Sequence, residues 1–223
     1  MSKFFAQIGM DLLNFLISVP YFIRSIYTTP VLRIYANMAV KSTVVDETVK
    51  KYANEAIKNI AGPYNIQQVI AIHQKINESF EYTGGVAFED FRSARKQILN
   101  GMQGDCDDFA VLMMALIIAI GGSARIILNL GKESGHAYTE VYIGDKNNLD
   151  TVSNYIYEYI KVTSNQSLAV DTEMTIYVHK DNNNNYWIPV DAESFIGAKP
   201  NLYPSTIEFT VYSNGRFEEI YKS

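Results

Sequence analysis

The stretch GDCDDFAVLMMALIIAIGG, residues 104–122, is apolar on every side from Phe109 onward and closes on paired glycines. A helix without a polar face must be central and buried, because no side of it can be left in water. Asp105 is placed to cap it, a carboxylate oxygen accepting N–H groups of the first turn. Cys106 then falls in that first turn. Gly104 gives the backbone freedom to turn into the helix, and Gly121-Gly122 ends it.

Downstream of this helix the period changes. ARIILNLG, HAYTEVYIG, TIYVHK and YWIPVDAE are rich in β-branched and aromatic residues and are separated by Gly, Asn and Asp, which predicts strands. The run YVHKDNNNNYWIP reads as a hairpin with a polar tip, and IEFTVYSNGRFEEIY carries an Asn-Gly turn between alternating apolar residues. Between Ile143 and Thr175, Tyr155, Ile156, Tyr159 and Ile160 predict a short helix within an insertion at about 144–174. Upstream, DETVKKYANEAIKNIAG and IQQVIAIHQKINESF are amphipathic helices, and SARKQILNG is a short helix ending at Gly101. Helices first and strands later give an α+β fold, with the central helix packed on an antiparallel sheet.

Residues 1–45 read as an apolar, amphipathic helical arm punctuated by Pro20 and Pro30, and residues 46–223 as one domain. In the arm, Phe5, Ile8, Leu12, Phe15, Leu16 and Val19 recur at helical spacing, while Gln7, Asp11 and Asn14 interrupt what would otherwise resemble a targeting or spanning segment. Docking on its own domain is the plainer reading of residues 4–27; contact with a membrane surface or a protein partner is the other. A free thiol and the interrupted apolar run point to the cytoplasm, with peripheral membrane attachment as a variant.

The net charge of -5 with no Lys/Arg block argues against nucleic acid as a partner. A single cysteine excludes an intrachain disulfide framework, and with three histidines it leaves little material for a structural metal site, so no metal or cofactor is expected.

The remaining chemistry gathers around Cys106. A helix N-terminus favours the thiolate, whereas Asp105, Asp107 and Asp108 oppose it if they face the sulfur. A nucleophile there needs a cationic partner, and His136, at the start of a predicted strand after Gly135, is the favoured one. His73 reads as a satisfied helix residue and His179 as an exposed strand end. A histidine base needs a third group to fix its tautomer, and Asp191, the single carboxylate closing YWIPVD, suits this better than Asp150, which lies in what reads as an exposed turn.

Together, G-x-C opening a buried helix, Ser-Ala-Arg in the next strand, HAYTEVY and W-x-x-x-D resemble the papain-like transglutaminase-core superfamily. The resemblance covers roughly residues 70–195. It implies Cys106 as nucleophile, His136 as base and Asp191 as orienter, with Tyr82 and Asp105 on the oxyanion or substrate side. It also implies acyl transfer from an amide or peptide bond through a thioester, on a protein or peptide substrate; hydrolysis is favoured over transamidation because it needs no second-substrate site. The rival reading is a non-catalytic module of the same fold that binds a partner through its arm. The chain departs from the family pattern in carrying Tyr138 where a tryptophan is usual, and in the long interval from His136 to Asp191.

Overall fold

The structure, a computed structural model, describes residues 46–84, 92–130, 135–163, 175–192, 194–200 and 207–220; the N-terminal arm lies outside them. Helix α1 (Glu47–Ala56) starts at Asp46, whose carboxylate accepts from Thr48 and Val49 N–H. Helix α2 (Ile66–Asn77) starts in a capping box in which Asn65 and Gln68 satisfy each other's backbone N–H. Helix α3 (Ala94–Asn100) ends at Gly101 in the left-handed region, at φ 97°. Helix α4 (Cys106–Ala119) is the central helix, buried throughout from Asp108 to Ile117. Gly121, at φ 85°, and Gly122 close it by donating to Ile118 and Ile117 carbonyls.

Six strands form one antiparallel sheet in the order β5-β6-β4-β3-β7-β8. These are β3 (Ala124–Leu130), β4 (Gly135–Gly144), β5 (His179–Lys180), β6 (Tyr186–Val190), β7 (Ile207–Tyr212) and β8 (Phe217–Ile220). Ile126, Leu128, Ala137, Val141, Ile188 and Val190 of the sheet share one core with Phe109 to Ile117 of α4, and Thr139 anchors the contact by donating its hydroxyl to the Ala110 carbonyl at 2.9 Å. Because inward and outward residues alternate, slipping this register by one position would turn every core residue outward. The fold is α+β with a helix-on-antiparallel-sheet core, as the sequence implied.

A second, two-stranded sheet pairs β1 (Glu81–Tyr82) with β2 (Gln103–Gly104) in parallel, which the sequence did not announce. It lays Tyr82 beside Gly104, two residues before Cys106.

Four expectations are corrected. The helix of the 144–174 segment is not short: α5 runs from Lys146 to Thr163. Asp145 accepts from Asn147 N–H at its start, and Ile156 and Ile160 are buried, so packing and a start signal override the turn-like composition of KNNLDTVSN. Asp150 is thus an exposed helical residue, not part of a turn. The TIYVHK run forms ladder pairs only at His179 and Lys180, because Tyr177 donates instead to the Gly197 carbonyl at 2.8 Å. His179 is no exposed strand end: its Nδ1 lies 3.1 Å from Arg125 Nη2 and 3.2 Å from Glu140 Oε1. Arg125 and Glu140 face each other across β3 and β4, both buried, with Arg125 donating from Nε at 2.8 Å and Nη2 at 2.6 Å to one carboxylate oxygen. Such a pair is strongly disfavoured out of register, and so it helps fix where β4 begins and where His136 stands. The Asn-rich hairpin tip is organised by Asp181, which accepts from Asn183 and Asn185 backbone N–H and from Trp187 Nε1.

Candidate active site

The approach to Cys106 is a constrained loop. Gly101 and Met102, at φ 97° and 45°, are both left-handed, and Met102 N–H closes the turn on the Gln97 carbonyl at 2.8 Å. Gly104 is needed for space, not for a left-handed turn, which corrects the expectation: a Cβ there would fall 2.5 Å from Asp108 Cβ. Asp105 caps α4, its Oδ1 accepting from Asp107 N–H at 3.1 Å and Asp108 N–H at 3.4 Å.

The three acids therefore have different tasks. Asp105 faces the helix backbone. Asp108 is buried and paired with Arg92 at 2.9 Å, and Gln97 ties its backbone carbonyl at 2.9 Å. Burial pushes the Asp108 carboxyl above the usual carboxylate range, against the pull of Arg92. Asp107 comes near the sulfur, its Oδ1 lying 4.0 Å from Cys106 Sγ.

His136, second residue of β4, is held by Asp191, one position beyond β6. Its Nε2 lies 2.6 Å from Asp191 Oδ2, and Asp191 Oδ1 accepts from Ala192 N–H at 2.8 Å. Cys106 is among the groups that raise the His136 pKa, and with Nε2 committed to the carboxylate, Nδ1 is the nitrogen left to face it. Tyr138 stacks on the ring at 6.0 Å between centroids. Burial by itself pulls the His136 pKa down; the Asp191 and Cys106 contacts outweigh it and raise it to about 10. A group that binds its proton more tightly folded than unfolded contributes stability in full below its unfolded pKa, ~6.5, and loses it as the pH rises through the folded value.

The structure thus joins His136 to Asp191 and leaves Asp150 on α5. Tyr82 is exposed and borders a cleft of about 610 Å³ lined by Asn77, Phe80, Tyr82, Ala192, Ser194 and Phe195. That cleft lies between the end of α2 with β1 on one side and the residues following Asp191 on the other. Asp105 is not among the residues lining it, and its Oδ1 accepts the first-turn N–H groups of α4. Among the described residues no cluster of His, Cys, Asp or Glu is arranged to hold a metal, and no helix is long and apolar enough to cross a membrane.

His73 of α2 reads in the sequence only as a satisfied helix residue, and its partner could not be read there: 3% exposed, it reaches the backbone of Asp191, with Nε2 2.9 Å from the carbonyl oxygen. Its place among Val69, Ile72 and Ile76 on the buried face of α2 was the available signal.

The profile of the transglutaminase-like superfamily matches residues 50–192, which hold His73, Cys106, His136 and Asp191. The chain belongs to the transglutaminase-like superfamily. A solved structure similar to this superfamily member is that of a candidate cysteine protease from Cytophaga hutchinsonii, at 25% identity over 46% of this chain and 37% of that one, with a TM-score of 0.37. The match spans well under half of that protein's length. No curated protein matches the chain.

Proposed function

We propose that the chain is a cysteine enzyme that transfers the acyl group of an amide or peptide bond through a Cys106 thioester, with water as the acceptor. The observation that carries this reading is His136 held by Asp191 at 2.6 Å, with Cys106, at the start of the buried helix, among the groups that raise the pKa of that ring. A nucleophile, a base and an orienting carboxylate in that order are what acyl transfer requires.

In the proposed cycle the Cys106 thiolate attacks the substrate carbonyl carbon. Backbone N–H groups at the start of α4, that of Cys106 among them, stabilise the developing oxyanion, assisted by the positive end of the helix dipole. The carbon–nitrogen bond breaks as His136 Nδ1 gives its proton to the leaving amine, and a thioester remains. Water then gives a proton back to Nδ1 as its oxygen attacks the thioester, and the acid leaves with the thiolate restored. Asp191 keeps the Nε2 proton in place throughout, so that Nδ1 is always the nitrogen that exchanges.

The cleft beside Tyr82 and Ala192 is where we place the substrate chain, with Tyr82 and Phe195, both exposed aromatics, in contact with it. Asp105 acts as helix cap. Hydrolysis is preferred over transamidation because it requires no second-substrate site.

The test is to incubate the protein with a defined pool of synthetic peptides and a labelled primary amine, and to read products by mass spectrometry. New peptide termini or deamidated side chains without amine incorporation are expected. Amine incorporation in preference to hydrolysis would overturn the choice of water, and a pool left unchanged at every pH from 5 to 9 would overturn the enzymatic reading.

A further inference from the structure

Asp191 stands just outside the sheet that carries it. The last ladder pair of β6 is Thr139 with Val190, so the strand register does not hold the Asp191 carbonyl. What reaches it is His73, 118 positions earlier in the chain, with Nε2 2.9 Å from the oxygen. A carbonyl only accepts, so Nε2 carries the hydrogen and donates. Asn77, one turn further along α2, places Nδ2 3.4 Å from His73 Nδ1 and 3.2 Å from Nε2. Since Nε2 is already a donor, Nδ1 is the acceptor for Asn77. The ring also meets Phe109 of α4 edge-on, at 6.1 Å between centroids, so it is wedged between the central helix and the end of β6.

We propose that His73 is a positioning residue that sets the Asp191 carboxylate against His136, acting as a neutral Nε2–H donor to the Asp191 backbone. This inference rests on the acyl-transfer reading of Cys106, His136 and Asp191. With its carbonyl held by His73 and Oδ1 held by Ala192 N–H, Asp191 has one free direction for Oδ2, and that direction is His136. Burial moves the His73 pKa down, with the Asp191 contacts opposing, and this keeps the ring uncharged near neutrality. Neutrality matters for the task. A cation in this place would compete with His136 for the Asp191 charge, whereas a neutral N–H fixes the backbone and leaves the carboxylate to its partner.

The test is the rate of Cys106 alkylation by iodoacetamide at pH 6 relative to pH 8.5, measured well below the melting temperature of each variant. The wild-type protein is expected to keep most of its rate at pH 6. His73→Leu, which keeps an apolar side chain but removes the donor, is expected to lose about 10-fold at pH 6, since displacing a supporting group by a fraction of an ångström weakens the imidazole's hold on the thiol. His73→Gln, whose amide nitrogen can occupy the Nε2 position, is expected to stay within about 2-fold of wild type. A purely packing role would lower the melting temperature of both variants and leave the alkylation ratio alone, and that result overturns the proposal. If His73→Leu does not fold, Asn77→Ala carries the test: it frees Nδ1, so a partial loss at pH 6 is expected, and a wild-type ratio contradicts the proposal. A wild-type protein that alkylates as an ordinary thiol would overturn the acyl-transfer reading itself, a distinct outcome.

Discussion

Replacing Cys106 with alanine abolishes both thiol labelling and amide turnover, with kcat on the peptide pool falling by at least about 10³-fold. The size of the effect follows from the route. Without the sulfur no thioester forms, and the remaining helix N–H groups and His136 have no covalent intermediate to stabilise. Cys106 is half-buried at the first turn of a helix otherwise anchored by Phe109 to Ile117, so the substitution is expected to change stability by no more than about 1 kcal/mol. Fold and activity are therefore separable in this variant: an unchanged thermal melt with lost turnover is the expected pair of results. Turnover retained in Cys106→Ala would remove the nucleophile from the mechanism.

Asp191→Asn is expected to lower kcat by about 10²- to 10⁴-fold, more than Asp191→Ala does. The ordering comes from the hydrogen bonds around the carboxylate. Ala192 N–H holds Oδ1 at 2.8 Å, and in the asparagine variant it would hold the amide oxygen in that place. The amide nitrogen then faces His136 Nε2, which must become an acceptor, and the ring proton moves to Nδ1. That is the nitrogen which has to take the proton of Cys106. Alanine removes the orienting group but does not impose the wrong tautomer. The same substitution removes the largest influence raising the His136 pKa, with a visible effect on stability. Above ~8.5, where an unfolded thiol has also given up its proton, the wild-type protein should lose stability as pH rises through about 10, and Asp191→Asn should flatten that slope in melts taken across this range. Equal activity in Asp191→Asn and wild type would remove Asp191 from the site.

What could be read in advance was what local chemistry determines. The cap at Asp105, the glycine stop at Gly121-Gly122 and the turn at Asn214-Gly215 depend on neighbours within a few residues, and the structure has all three. The buried helix and its sheet were legible because a helix apolar on every side has only one place to go. The pairing of His136 with Asp191 was legible from residue types at the ends of elements, together with the family pattern.

The contacts that complete the site were hidden for a different reason. Arg92 with Asp108 and His73 with Asp191 join residues that no periodicity links, and each is visible only once α2, α3 and α4 are packed. Gly104 was noticed for the wrong property: it is small where Asp108 crosses it, and its backbone needs no unusual turn. The α5 helix was underestimated because Asn, Asp and Ser weaken local helix preference, while the burial of Ile156 and Ile160 supplies what propensity lacks.

The central claim is that Cys106 is a nucleophile activated by His136, and the pH profile of its alkylation by iodoacetamide in the wild-type protein tests it most directly. A cysteine paired with an imidazolium reacts as a thiolate over the whole interval in which the histidine holds its proton, so the rate should change less than about 3-fold between pH 6 and pH 8.5. A rate that instead falls about 10-fold for each pH unit below ~8.5, as for a free thiol, would contradict the account.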